Sequence, residues 1–141
     1  MITYVHNTFS ASVEILAASS NSYVEYHMLY IKQLDIIVIT LYRPPECPSN
    51  LLISSLDEMR VKLNALSTQL SNIIFTGDFN IPTIDWNLER VIGGATQYRL
   101  QANSLMEFAR DFCLQQFIEL PTRGGNILDL FFTNYDGMVQ E

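Results

Sequence analysis

Hydrophobic and polar residues follow one another in the first third of the chain in a way that predicts β-strands. Residues 23–31 alternate aromatic and polar side chains, which is typical of a half-buried strand. Residues 35–42 are almost all apolar and β-branched, which predicts a strand buried on both faces. Residues 33–34 separate these two runs and predict a tight hairpin. Two further strands are predicted upstream, at residues 2–6 and 13–17.

Two helices are predicted from apolar residues that recur every three or four positions. The first begins after Pro48 with Ser49 as its expected N-cap, and the second spans residues 98–113. The stripe of the first helix fits either packing on a sheet, which we favour, or a short coiled coil. Its members are Leu52, Leu56, Met59, Leu63, Leu66 and Leu70.

The remaining segments complete an alternation of strands and helices. Strands are predicted at residues 72–76, 117–120 and 127–133, and loops at residues 86–96 and 121–126. Because hairpins occur beside the strand–helix alternation, the order predicts an α/β layered sandwich with a mixed sheet. The length of 141 residues corresponds to about one domain.

Composition and charge exclude several classes of protein. Hydrophobic residues make up 48% of the chain and charged residues 16%, which excludes a disordered tail. The chain has 8 basic and 15 acidic residues and a net charge of −7, so it lacks the basic footprint of a strong non-specific nucleic-acid binder. This charge does not exclude an enzyme that brings phosphates to a metal ion.

Cysteines and apolar runs define the expected compartment. Cys47 and Cys113 are too few for a disulfide framework, and no metal-binding Cys or His spacing occurs. Residues 1–20 lack the pattern of a signal peptide, and the longest strongly apolar run, residues 36–41, is too short to span a bilayer. The sequence therefore predicts a soluble, intracellular protein that does not enter a membrane.

Polar residues interrupt the strand and helix pattern in three places. Tyr42 and Arg43 follow a buried strand, Asp78 and Asn80 follow another within the sequence GDFN, and Asp129 lies inside the apolar run ILDLFF. Polar groups at such positions cost free energy unless they are paired. Polar residues that interrupt an apolar pattern in this way are expected at functional sites.

Each interruption also has a purely structural explanation. Residues 77–80 form a good turn sequence, Tyr42 fits a core residue with a wet hydroxyl, and Asp129 fits a buried carboxylate that bonds turn amides. His6 and His27 lie in strand-like segments and are more typical of surface or core residues than of metal ligands.

Taken together, the three interruptions resemble the endonuclease/exonuclease/phosphatase superfamily, most closely the endonuclease domains of LINE-type (non-LTR) retrotransposons. The resemblance rests on IVITLYRPP (residues 37–45), IIFTGDFNIPTIDW (residues 73–86) and LPTRGGNILDLFFTN (residues 120–134), and it extends over essentially the whole chain. It implies a DNase I-like or AP-endonuclease-like sandwich, of which residues 1–141 form a single, partial domain.

The resemblance implies catalytic roles for four residues. Asp78 would orient or deprotonate the attacking water, and Asn80 would hold the scissile phosphate and help to place that water. Tyr42 would donate a hydrogen bond to a phosphate oxygen, and Asp129 would orient a catalytic histidine. In-line attack on a phosphodiester needs such a positioned water and such donors.

The resemblance also implies substrate contacts, a cofactor and partners. Thr122 and Arg43 would lie near the substrate, which would be DNA. The cofactor would be Mg²⁺ or Mn²⁺, both of which prefer oxygen ligands. In the full element a reverse transcriptase would follow this domain.

The residues that would complete the site are expected outside this sequence. Members of the superfamily carry an Asn and a metal-binding Glu upstream of the matching segments, and a Ser-Asp-His segment downstream. We therefore expect a domain truncated at both ends, with unassigned metal ligands, a weakly bound Mg²⁺ and little or no activity. The alternatives to a DNA-nicking enzyme are an inactive remnant and a non-enzymatic interaction module that uses the leucine stripe.

Overall fold

A computed structural model describes residues 2–19, 21, 23–66, 72–135 and 137. In chain order, a 3₁₀-helix (Asn7–Ser12) precedes strands β1 (Val13–Ala18), β2 (Glu25–Ile31) and β3 (Ile36–Tyr42), helix α1 (Ser49–Ala65), strands β4 (Asn72–Asp78), β5 (Ile84–Asp85) and β6 (Arg90–Val91), helix α2 (Thr96–Asp111), and strands β7 (Gln115–Gln116) and β8 (Asp129–Thr133).

Six strands form one mixed sheet in the order β1-β2-β3-β4-β8-β7. Only β3 and β4 pair in parallel, and α1 makes the crossover between them. The other pairings are antiparallel, and β5 and β6 form a separate small hairpin. The predicted α/β class with a mixed sheet is therefore confirmed.

Both helices pack on one face of the sheet and bury its alternate residues. Ile37, Ile39 and Phe75 of the sheet are at most 1% exposed and meet an aromatic cluster that includes Phe108. The leucine stripe of α1 packs on the sheet rather than in a coiled coil, since four of its members are buried: Leu52, Leu56, Met59 and Leu63. Leu66 is 44% exposed at the end of the helix, and Leu70 lies outside the described residues.

The opposite face of the sheet carries no α-helix in the described part of the chain. Along β3 the residues on this face are half-buried or, at Tyr42, exposed, whereas their neighbours are buried. The same alternation occurs in β4. The prediction that residues 35–42 are buried on both faces is therefore wrong, because only one face of β3 receives a helix.

Two predicted strands are absent. Residues 2–6 form no strand, and His6 instead caps the 3₁₀-helix by accepting a hydrogen bond from the Thr8 N–H. Residues 117–120 also form no strand, because the Gln116 side chain bonds both the N–H and the carbonyl of Ile118. The edge strand lies slightly earlier, at β7.

Helix and loop boundaries differ slightly from the prediction. Pro48, not Ser49, occupies the N-cap of α1, and no side chain caps this helix. Helix α2 spans Thr96–Asp111, and the predicted loop at residues 86–96 contains β6. Among the described residues, no helix combines the length and the apolar character that a membrane crossing requires.

Candidate active site

Three of the predicted site residues lie side by side at the ends of adjacent strands. Tyr42 of β3 is in register with Asp78 of β4, and Asp78 is in register with Asp129 of β8. Residues directly opposite each other on neighbouring strands project from the same face of a sheet. Tyr42, Asp78 and Asp129 therefore form one polar row, on the face that lacks the helices.

Gly77 allows β3 and β4 to pair closely immediately before this row. A Cβ at Gly77 would lie 1.7 Å from the Leu41 carbonyl oxygen, and its φ of 153° is one that side chains rarely adopt. Asp78 then ends the strand, and Phe79 is fully buried in the core. The sequence GDFN is therefore not the plain turn of the alternative explanation, because its first half extends β4.

Asn80 is held beside the row by two hydrogen bonds. It is 5% exposed and has a φ of 50°, a region that asparagine enters more readily than most residues. Its Nδ2 donates to the Arg43 carbonyl oxygen at 2.8 Å, and its Oδ1 accepts from an Arg123 Nη1 at 3.0 Å. The amide group thus has a fixed orientation next to Asp78.

Arg43 lies beneath the site and not in it. Its side chain is 1% exposed and donates to the Asn80 carbonyl oxygen at 3.0 Å and to the Gln101 Oε1 at 2.6 Å. Burial lowers the pKa of the Arg43 guanidinium from its usual value. The prediction that Arg43 contacts a substrate does not fit this placement, because the guanidinium is enclosed by protein groups. Its longer contacts are the carbonyl oxygens of Pro45, Cys47 and Phe79.

Arg123 is the site residue that the sequence analysis missed. Its Nη2 is 2.9 Å from the Asp78 Oδ2, and its side chain is 56% exposed. The hydrogen bond to Asp78 raises the pKa of Arg123, and the charges of Asp78, Asp129 and Tyr42 act in the same direction. Two carboxylates side by side repel each other unless a cation lies nearby, and Arg123 provides that cation; the register that brings the two aspartates together is visible only in the structure.

A tight turn presents Arg123 to the row. Arg123 and Asn126 exchange backbone hydrogen bonds of 3.1 and 2.9 Å across Gly124 and Gly125. The glycine φ values of 56° and 82° are those of a type I′ turn, in which both central residues require positive φ. The Gly-Gly pair thus fixes the backbone position from which the Arg123 side chain extends.

Thr122 stabilises the same loop through hydrogen bonds of its side chain. Its hydroxyl oxygen accepts the backbone N–H groups of Leu128 at 3.0 Å and of Asp129 at 3.1 Å. Thr122 is exposed and lies next to the row through its bond to the Asp129 N–H, and its place near the substrate stays a prediction. Its observed contacts fix the start of β8.

Asp129 is exposed, which excludes the alternative of a buried structural carboxylate. Both histidines have structural contacts, as expected. His27 bonds the Thr3 hydroxyl at 3.2 Å, and His6 bonds the Thr8 hydroxyl at 2.8 Å. The role assigned to Asp129, the orientation of a catalytic histidine, stays a prediction.

Oxygen donors at the site fit a weakly held divalent cation. Asp78 Oδ1 is buried and has no hydrogen-bond partner in the described part of the chain, and Asn80 and Asp129 add an amide and a carboxylate oxygen nearby. Mg²⁺ commonly binds through one or two carboxylates together with water and phosphate oxygens. The described residues contain no group of three or more His, Cys, Asp or Glu side chains that could hold a metal. Asp78 and Asn80 would hold such an ion, with Asp129 beside them.

The fold and the site define an α/β protein with a mixed sheet and an acidic, amide-containing site at its strand ends. A family model described as endonuclease-reverse transcriptase matches residues 36–140. The chain therefore belongs to the endonuclease-reverse transcriptase family, within the endonuclease/exonuclease/phosphatase superfamily. No curated protein matches the chain.

Three solved structures match the chain at low sequence identity. The endonuclease domain of TRAS1, a telomere-specific non-LTR retrotransposon, is 16% identical with a TM-score of 0.49, over 88% of this chain and 55% of that one. An AP endonuclease from Archaeoglobus fulgidus is 15% identical with a TM-score of 0.44, over 77% and 52%. An endonuclease/exonuclease/phosphatase family protein from Bacteroides thetaiotaomicron is 12% identical with a TM-score of 0.48, over 89% and 51%. The chain thus spans about half the length of each of these proteins.

Proposed function

We propose that the chain carries the phosphate-binding part of a divalent-metal-dependent phosphodiesterase site that nicks DNA. We further propose that residues 1–141 are a single, partial domain of a non-LTR retrotransposon protein that also contains a reverse transcriptase. The observation that carries the proposal is the in-register row of Tyr42, Asp78 and Asp129, with Asn80 held beside it. The membership of the endonuclease-reverse transcriptase family supports it.

The residues of the row have complementary roles in this proposal. Asp78 orients and deprotonates the attacking water through its carboxylate group. Asn80 contacts the scissile phosphate, and the exposed Tyr42 donates a hydrogen bond from its hydroxyl group to a phosphate oxygen as negative charge develops. A bound Mg²⁺ or Mn²⁺ would supply electrostatic stabilisation of that charge.

The test is a nicking assay on supercoiled DNA with Mg²⁺ and with Mn²⁺. We expect slow nicking at most by the 141-residue chain, because the described residues provide no cluster of three metal-ligating side chains. Asp78→Asn should reduce the rate by about 10²- to 10⁴-fold or to background, as loss of a general base does. Its unfolding midpoint should stay close to that of the wild type.

Asp111→Asn provides a matched control. Asp111 also pairs with an arginine, at 2.9 Å from the Arg60 Nε, but it lies at the end of α2, outside the row. We expect this variant to nick like the wild type. Equal nicking by Asp78→Asn and the wild type, at equal stability, would show that Asp78 has no such role. A complete lack of metal-dependent nicking by the wild type would favour a catalytically inactive remnant.

The non-enzymatic interaction module receives no support from the structure. That alternative needs an exposed leucine stripe on α1, and four of its members are buried against the sheet: Leu52, Leu56, Met59 and Leu63. The stripe therefore belongs to the core of the fold.

A further inference from the structure

We propose that Arg123 is a phosphate-contacting residue, which binds a backbone phosphate of DNA while it remains paired with Asp78. This inference rests on the proposed function, because it assigns the residue that attracts the substrate of that site. It concerns a residue to which the sequence resemblance assigns no role.

The charge balance of the row requires such a residue. Asp78 and Asp129 are adjacent, and the chain as a whole carries a net charge of −7, so an approaching phosphodiester meets like charge. Arg43 is enclosed beneath the site and has neutral partners. Arg123, in contrast, is exposed and pairs directly with Asp78.

The guanidinium of Arg123 has donors left for a phosphate. Of its five N–H groups, one on Nη1 is directed to Asn80 and one on Nη2 to Asp78. Nε has no partner in the described part of the chain, and Nη1 and Nη2 each keep a second N–H, so that Nε and Nη2 can still present two donors along one edge of the guanidinium. A two-donor edge of this kind matches two phosphate oxygens. Arg123 can therefore contact a phosphate without leaving Asp78.

The loop that carries Arg123 is already ordered by its own contacts. The type I′ turn at Gly124 and Gly125 fixes the tip, and Thr122 holds the base through the Leu128 and Asp129 amides. Little chain entropy is therefore lost when a phosphate binds. Asp78 and Asn80 hold the side chain in the orientation that leaves its open edge exposed.

The test is the salt dependence of binding to a fluorescent DNA duplex, with EDTA present so that no cleavage occurs. Removal of one phosphate contact in Arg123→Gln should reduce the slope of log K against log salt by about 0.9. Arg123→Lys keeps the positive charge but loses the planar, two-donor edge of the guanidinium, so it should preserve the slope and weaken DNA binding. The control is Arg90→Gln, which removes an exposed arginine of the separate β5-β6 hairpin and should leave the slope unchanged.

Different results separate the two proposals. An equal slope for Arg123→Gln and the wild type would overturn the role of Arg123 and leave the proposed nuclease function standing. A slope that falls equally in Arg90→Gln would show general charge attraction, which also overturns it. No DNA binding by the wild type would reject the DNA substrate and the Arg123 contact together. Because Arg123 is exposed, its variants should keep the wild-type unfolding midpoint, and the lysine variant tests the same contact with the charge retained.

Discussion

Two arginines donate hydrogen bonds to Asn80, one to its backbone and one to its side chain, and they differ in exposure and in their other acceptors. Arg43 is 1% exposed, and its acceptors are backbone carbonyl oxygens and the Gln101 amide. Arg123 is 56% exposed, and its acceptors are the side chains of Asp78 and Asn80. The buried arginine fixes the backbone under the site, whereas the exposed one neutralises the side chains above it.

The difference shows that neither charge nor proximity identifies a functional arginine. Arg43 follows a buried strand and was the natural candidate in the sequence, yet its guanidinium is enclosed in the core, where both Nη atoms donate to protein acceptors. Arg123 follows a Pro-Thr pair in a loop and contacts the carboxylate at the centre of the row. The two arginines differ in exposure and in the kind of acceptor. Arg123 is exposed and bonds side chains at the surface, so its remaining N–H donors can reach a ligand.

The largest effect is expected when the buried arginine is removed. Arg43→Met should destabilise the fold by about 3 kcal/mol or more, because several buried acceptors lose their donor. They include the Asn80 carbonyl oxygen and the Gln101 Oε1. Urea unfolding followed by circular dichroism measures the change.

Arg123→Met is the matched variant for this prediction. The same substitution at the exposed position should shift the urea midpoint only slightly, since its contacts lie at the surface. Similar losses of stability in Arg43→Met and Arg123→Met would contradict the division into a buried, structural arginine and an exposed, functional one.

A smaller effect is expected at the side-chain partner of Arg43. Gln101 is fully buried, accepts from Arg43 at 2.6 Å and donates to the Cys47 carbonyl oxygen at 3.1 Å. Gln101→Leu should cost about 2 kcal/mol, because it removes the shortest acceptor of a buried cation and one of the two donors to the Cys47 carbonyl oxygen. Gln97→Leu, at an exposed position of the same helix, is the control and should stay near the wild-type midpoint in urea. An unchanged midpoint for Gln101→Leu would mean that the backbone carbonyls alone satisfy Arg43.

Much of the fold followed from local patterns in the sequence. The period of the leucine stripe predicted α1 and its buried face, and the apolar run at residues 35–42 predicted β3. The sequence could not show that only one face of β3 is covered by α-helices, because apolar β-branched side chains suit covered and uncovered sheet faces alike. Residues 117–120 were misassigned because the side chain of Gln116 replaces ladder bonds, a local competition that periodicity does not show.

The positions of the site residues were only partly predictable. Polar residues at strand ends indicated Tyr42, Asp78 and Asp129, and the register of the sheet places them in one row. The sequence could not show that Arg43 is buried and that Arg123 is exposed at the site. Exposure depends on the position of the loop after Pro121 relative to the strand ends. The Gly-Gly pair indicated a turn, but the sequence did not show that this turn places the Arg123 side chain next to Asp78, because that contact depends on the tertiary structure.

The turn itself offers a third prediction, of smaller size. Gly125→Ala should cost about 1 kcal/mol, because alanine is strained at a φ of 82°. The same change should weaken DNA binding in the way that Arg123→Gln does, since it displaces the backbone of Arg123. Gly124→Asn is the control, because Asn-Gly is a preferred type I′ pair, and it should bind DNA like the wild type. Normal DNA binding by Gly125→Ala would show that the turn does not position Arg123.

The smallest effect concerns competition between Arg123 and a divalent cation. Arg123 neutralises Asp78 and lies near Asp129, so its charge opposes that of a metal ion held by the same oxygens. Arg123→Gln should therefore bind Mn²⁺ more tightly, by roughly two- to fivefold at low salt, since exposed charges interact weakly through water. Water-proton relaxation in a Mn²⁺ titration measures this affinity without any cleavage. Arg90→Gln, which removes an exposed charge on the separate β5-β6 hairpin, should leave it nearly unchanged. Equal Mn²⁺ affinity in Arg123→Gln and the wild type would place the metal away from Asp78, and would separate the cation site from the residues that Arg123 holds.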